Sequence, residues 1–319
     1  MSMMLDRQTA AEPVADAAGS PPPATPTPRS GRLTWAQIKT TFLIALPVLC
    51  LIYVCVAATG VHSQLAVRGP SVVEPMADLP EPNGIRLYIE NCARCHGSRG
   101  TADGSTSPYL DPPARRFGED KFMLTSTANG IPTDDDLMYV LRHGIPATAM
   151  PSFERLSEAE CRALVAHIRW LTRAGMYARL YQRAKKQEPD DTPDVAELST
   201  AAAKQAIPGQ VVEAPADFPA PDEASLARGQ KFFTANCATC HGPKGAGDGD
   251  KVKDLKNDNG QPTKPRDLAR GIFKGGGEPE RLYVRIAVGM PGTPMPGSSS
   301  ALKPQEIGDL VNFVRSLSQ

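Results

Sequence analysis

Two copies of a Cys-x-x-Cys-His box, Cys92-Ala93-Arg94-Cys95-His96 and Cys237-Ala238-Thr239-Cys240-His241, are each followed by a methionine at one fixed distance. Met150 lies 54 residues after His96, and Met295 lies 54 after His241. Two thiols one helical turn apart, with an imidazole beside the second, are the attachment signal for a covalently held haem. The thiols add to its two vinyl groups, and the imidazole falls under the iron. With seven Cys and five His in 319 residues, composition alone gives on the order of 0.002 such boxes per chain, so two are not accidental. The chain therefore has to fold around two haem groups, one in each copy of a repeat.

Sliding the sequence by 145 residues superimposes more than the boxes. Gly84-Ile85-Arg86-Leu87-Tyr88-Ile89-Glu90-Asn91 falls on Gly229-Gln230-Lys231-Phe232-Phe233-Thr234-Ala235-Asn236. Each stretch reads as a short helix entering its box, with Leu87/Tyr88 and Phe232/Phe233 on the core face. Further on, Ser157 to Leu171 matches Lys303 to Leu317 with a shift of 146. Leu164, Ile168 and Leu171 recur as Leu310, Val314 and Leu317, one apolar helical face in each copy. A third helix is predicted over Asp135 to His143 and over Pro279 to Val288. Both run into Gly-Pro-rich loops, 144–151 and 289–296, where proline blocks regular structure and leaves a stiff mount for Met150 and Met295.

Other chemistry for these residues is weaker. A zinc site would have to join two Cys-x-x-Cys pairs from separate repeats, each of which has its own His and Met. A dithiol of the thioredoxin type needs a βαβ setting, and no such strand pattern is present. Two competing ligands stay open. Met290 is near Met295 but aligns with Ile145, which cannot bind iron, and His143 aligns with Val288. Cys161 aligns with Ile307 and reads as a small buried hydrophobe. Arg115, Arg116 and Arg266 follow loop prolines and are placed either to pair with haem propionates or to face solvent.

The order of N-terminal helix, Cys-x-x-Cys-His, Gly-rich loop, helix, Gly-x-Pro-x-x-x-Met-Pro loop and C-terminal helix resembles class I c-type cytochromes, over residues 79–175 and 219–319. The resemblance implies an all-α fold in which the terminal helices cross. It implies two covalently bound haem c groups held through Cys92, Cys95, Cys237 and Cys240. It also implies His96 and His241 as proximal ligands, Met150 and Met295 as distal ones, and a loop proline carbonyl accepting the proximal imidazole N–H.

Residues 42–58 form an uncharged run, FLIALPVLCLIYVCVAA, preceded by Arg29, Arg32 and Lys39. At about 1.5 Å per residue the run and its threonine flanks reach roughly 26–30 Å, enough to cross a bilayer core, and the basic flank puts the N-terminal side in the cytoplasm. A cleaved signal segment is the alternative. The expected organisation is a disordered cytoplasmic tail over 1–40, a transmembrane anchor over 41–60 and a linker over 61–78. A cytochrome c domain over 79–187, an acidic Ala/Pro-rich linker over 188–218 and a second cytochrome c domain over 219–319 follow. Both domains would lie on the periplasmic face of a bacterial cytoplasmic membrane. Whole-chain order is similar to membrane-bound dihaem cytochromes that serve respiratory complexes.

Formal net charge is zero, so nothing points to nucleic acid. Charge is unevenly spread: residues 79–187 carry 15 Lys/Arg against 12 Asp/Glu and residues 219–319 carry 14 against 11, whereas 188–218 has one Lys against seven acids. This marks the acidic segment off from the two domains as a linker, either a coil on which the outer domain swings or a strap between rigidly packed domains. Lys244, Lys251 and Lys253 are candidates to steer an acidic partner.

With both axial positions filled by protein, such an iron has no place for substrate, which predicts one-electron transfer rather than catalysis. The expected partners are redox proteins, a membrane respiratory complex or dehydrogenase and a soluble or membrane-bound acceptor. Two alternatives remain: a dihaem subunit of a cbb3-type oxidase, and a dihaem enzyme of the peroxidase or thiosulfate-oxidising type, which needs one open iron.

Overall fold

The computed structural model describes residues 82–318. The proposed tail, anchor and first linker lie outside the described residues. Those described are helical, with two isolated bridges and no strand, and among them no helix is long and apolar enough to cross a membrane.

The first repeat contains α1 (Pro82–Asn91), a single turn α2 (Ala93–His96), α3 (Asp134–His143) and α4 (Glu158–Gln187). Side chains set the starts of the last two. Thr133 accepts from the Asp136 N–H while the Asp136 carboxylate accepts from the Thr133 N–H, and Ser157 and Glu160 form the same reciprocal pair before α4. The second repeat contains α6 (Glu223–Asn236), the turn α7 (Ala238–His241), α8 (Pro279–Val288) and α9 (Pro304–Ser316). Here prolines at the first helical position preset the φ angle of α8 and α9.

In each repeat the first helix crosses the last at a glycine. A Cβ on Gly84 would overlap the Ala163 carbonyl oxygen, and one on Gly229 would overlap that of Asp309. The backbones touch there, and the aromatic residue one turn on, Tyr88 or Phe233, is driven fully into the core. Alanine normally improves a helix over glycine by about 1 kcal/mol, but overpacking costs about 1–3 kcal/mol. Gly229→Ala is therefore expected to destabilise the second domain by about 2 kcal/mol, read as a lower midpoint in denaturant titration of the holoprotein.

The second crossing also carries a polar lock. Asp309 is buried, accepts from Ser225 Oγ at 2.7 Å and from Arg228 Nε at 2.7 Å, and the buried Asn312 donates to Ser225 Oγ at 3.0 Å. Burial by itself would raise the Asp309 pKa, but the bonds from Arg228 and Ser225 outweigh it and hold the carboxyl below its usual range. Its stabilisation is thus complete above the unfolded value of about 3.9 and is lost as pH falls through the lower folded value. Asp309→Asn should cost about 1–3 kcal/mol at neutral pH, and the gap to wild type should close in acid titrations of stability.

The segment 188–218 is not coil throughout. Asp194 caps α5 (Val195–Gln205) by accepting from the Ala196 and Glu197 N–H groups, and the alanine-rich helix packs on α4 with Ala202 fully buried. The chain after it is pinned to the first domain. The Ala128 N–H donates to the Gln210 carbonyl at 2.9 Å, and the Val212 N–H to the Ser126 carbonyl at 2.8 Å. Val212, Ala214 and Phe218 then join the core of the second domain. Residues 82–318 lie within one compact unit, so the swinging tether gives way to a strap. Direct contacts reinforce it: Lys121 pairs with Asp258 at 2.8 Å, Arg116 donates to Asn259, and the Arg281 guanidinium lies 3.2 Å over the centre of the Tyr139 ring.

Candidate functional site

Each box is a helical turn continuing the preceding helix. The His96 N–H donates to the Cys92 carbonyl and the Gly97 N–H to that of Ala93, and His241 and Gly242 repeat this pattern on Cys237 and Ala238. The turn must then reverse. Gly97 and Gly242 have φ of 76° and 77°, a left-handed region that glycine enters without strain, and a Cβ at either would run into the carboxylate of Asp103 or Asp248. The return loop is fastened to the histidine itself, as Ala102 and Gly247 each donate to the His96 or His241 carbonyl at 2.8 Å.

The methionine loops match bond for bond. The Ile145 N–H donates to the Met150 carbonyl at 3.0 Å, Thr148 closes back on Ile145, and its hydroxyl accepts from the Met150 N–H. In the second copy Met290, Met295 and Thr293 make the same three bonds.

Cys92, Cys95, His96 and Met150 line one cleft, with Phe117, Leu141 and Phe153 in its wall. Cys237, Cys240, His241 and Met295 line a second, with Phe233, Leu282 and Ile286. All eight predicted residues are brought together, four to a cleft. The two Cys pairs do not meet, and among the described residues no three His, Cys, Asp or Glu side chains are grouped to hold a metal ion. Burial pushes the Cys92 and Cys237 thiols up to about 12 and about 11, opposite to the depressed pKa of a reactive dithiol. Of the competing residues, His143 is exposed, with its ring 4.3 Å from that of Tyr139, and does not line the first cleft. Met290 does line the second, at the position of Ile145 in the first. Cys161 is fully buried in the first core.

His96 Nδ1 lies 2.9 Å from the Arg115 carbonyl. A carbonyl only accepts, so Nδ1 carries the proton and Nε2 keeps its lone pair for a metal. The expected proline acceptor is corrected by two residues, because it is the arginine after Pro113-Ala114 whose carbonyl faces the ring. Burial lowers the pKa of both imidazoles, more than the facing carbonyl raises it, and keeps them neutral. In the second cleft the Arg266 carbonyl lies close enough to raise the proton affinity of His241, but the pair falls short of hydrogen-bond geometry, so the buried Nδ1 is unpaired.

Two thiols, one neutral imidazole and a thioether, all lining one apolar cleft, fit one haem c in each domain. Similarity to known proteins agrees. The family model described as "Cytochrome c" matches residues 226–318, and that described as "Cytochrome C oxidase, cbb3-type, subunit III" matches residues 80–168. The chain is a dihaem c-type cytochrome. Each domain carries a covalently bound haem c. This cytochrome is 25% identical over 243 residues to the cbb3-type cytochrome c oxidase subunit FixP of Azorhizobium caulinodans, covering 76% of this chain and 61% of that protein. It thus spans about three-fifths of the length of that relative. A chain of the Kuenenia stuttgartiensis reducing HAO-like protein complex superimposes with a TM-score of 0.63 at 28% identity, over 76% of this chain and 98% of that one.

Proposed function

We propose that the cytochrome carries single electrons between redox proteins, with both irons closed by a histidine and a methionine. Cys92, Cys95, Cys237 and Cys240 would form the thioether links, His96 and His241 the proximal bonds, and Met150 and Met295 the distal ones. The observation that carries this reading is the bond-for-bond identity of the two methionine loops, each set in the same cleft as its box histidine. The haem iron supplies one-electron chemistry when bound. The protein's part is to exclude water, to hold the imidazole orientation through the Arg115 carbonyl, and to keep each methionine on a rigid turn so that oxidation and reduction need little rearrangement. A peroxidase or thiosulfate-oxidising role requires one replaceable ligand, and the matched loops argue against it. The test is a reductive titration with ligand binding: two electrons taken up per chain, no binding of cyanide or carbon monoxide, and no peroxide turnover. Ligand binding with turnover would restore the enzyme reading.

The relatives support a place for the chain in a larger redox assembly. FixP is by name a cbb3-type oxidase subunit, and the structural neighbour belongs to an HAO-like complex. This favours a role as the haem c subunit of a membrane redox complex, anchored through residues 41–60 with both domains on the periplasmic face. Carbonate washing of membranes should leave the protein in the pellet; release without detergent would exclude the anchor. Purification from native membranes should bring down its redox partner, and purification as a lone chain would point to a free carrier.

A further inference from the structure

Three cations from both domains converge where the two clefts adjoin. Arg115 lines the first cleft, and Arg266 and Lys274 line the second. Met123 and Leu124 of the first cleft lie against Lys274 and Gly275 of the second. Lys274 Nζ is 3.9 Å from Met123 Sδ, and a Cβ on Gly275 would sit 3.4 Å from Leu124 Cδ2. Arg266 reaches across to donate to the Pro146 carbonyl at 2.7 Å. Arg285 fastens the seam, donating to the Met123 and Thr125 carbonyls at 3.0 and 2.8 Å. The clefts therefore share a wall, and the three cations stand around it.

Among the described residues, none of Arg115, Arg266 and Lys274 has a carboxylate within ion-pair distance. Asp120 and Asp258 act on Arg115 from farther away, but they are already paired with Arg116 and Lys121. Burial, followed by repulsion from Arg266 and Arg115, lowers the Lys274 pKa, and burial is also the main cause of the lowered values at both arginines. Withdrawing three like charges from water into one seam is costly unless an anion joins them.

We propose that Arg115, Arg266 and Lys274 form a single carboxylate-binding site, shared by the two domains, for propionate groups of the haems in both clefts. The proposal rests on the two-haem reading above and adds a consequence that the reading lacks. A charge shared by both groups couples them, so a change at the seam moves both reduction potentials, and the influence is reciprocal. It also gives the rigid strap a purpose, because a swinging second domain would pull Lys274 and Arg266 away from Arg115.

The test is a redox titration of the intact dihaem protein with Lys274→Met, Lys274→Arg and Arg162→Ser. Loss of a positive charge near both groups favours their oxidised, more positive forms. Lys274→Met should therefore lower both potentials, Lys274→Arg should restore them, and Arg162→Ser, which breaks an exposed ion pair with Glu158 outside both clefts, should leave them in place. A shift of one potential only, or of neither, overturns the shared site. A saturable shift of wild type by inorganic phosphate at constant ionic strength, absent in Lys274→Met, would also overturn it, because a free anion would then occupy the seam. The ferric methionine–iron absorption recorded on the same samples separates the two failures. If it is present while the first potential stays fixed, only the junction is wrong; if it is absent from wild type, the ligand reading itself fails.

Discussion

Replacement of Cys237 and Cys240 by alanine is expected to halve the haem that stays attached after acid–acetone extraction, from two groups per chain to one. The remaining group should keep the spectrum of the first domain. The reason is geometric. Each cleft takes its thiols, imidazole and thioether from one repeat, and the lining residues of the two clefts do not overlap. The two cores are likewise separate clusters, one centred on Tyr88 and Leu164 and the other on Phe233 and Leu310. The haem-to-protein ratio measures this directly. Loss of both groups would mean that the second domain is required to mature the first.

The second large effect concerns Met150. Without its thioether the first iron loses its distal partner, and the loop offers no replacement: Ile145 occupies the place of Met290, His143 is exposed outside the lining, and Met123, the other thioether of the cleft, has its sulfur 3.9 Å from Lys274 Nζ at the seam. Reduced Met150→Ala should bind one carbon monoxide per chain where wild type binds none, and the potential of that haem should fall because methionine ligation raises it. Met295→Ala is a more demanding case. Met290 already lines the second cleft, so full exposure of that iron calls for the Met290→Ala/Met295→Ala pair.

Much of this site was legible from residue spacing. The boxes, the equal 54-residue reach and the paired Gly-Pro loops are local signals, and local backbone chemistry carries them into the structure: a left-handed glycine after each box and a Thr-closed turn under each methionine. The crossing of the terminal helices was implied by the resemblance, and the structure puts the aligned Gly84 and Gly229 at the contact, where no side chain fits. What remained hidden depends on contacts far apart in sequence. Residues 188–218 read as an acidic linker, with coil and strap both open, because their apolar residues show no clear periodicity. Ala202 is buried in a helix that packs on α4, and the partly buried Phe218 packs against the second core, so the order comes from tertiary packing rather than from any periodic face. The hydrogen-bond partner of His96 was displaced from proline to Arg115 because spacing cannot say which carbonyl of a loop faces the ring. Arg115 and Arg266 stood out after their prolines, but Lys274 had no signal at all, and only the fold brings it beside them.

The central claim, two irons each closed by its own loop methionine, is tested most directly by the near-infrared methionine–iron absorption of the fully oxidised protein. Wild type, Met150→Ala, the Met290→Ala/Met295→Ala pair and the triple variant would be compared at equal haem content. The account predicts full intensity in wild type, about half after each single-domain change and none in the triple variant. An absorption missing from wild type, or one that survives the change in both domains, would contradict it.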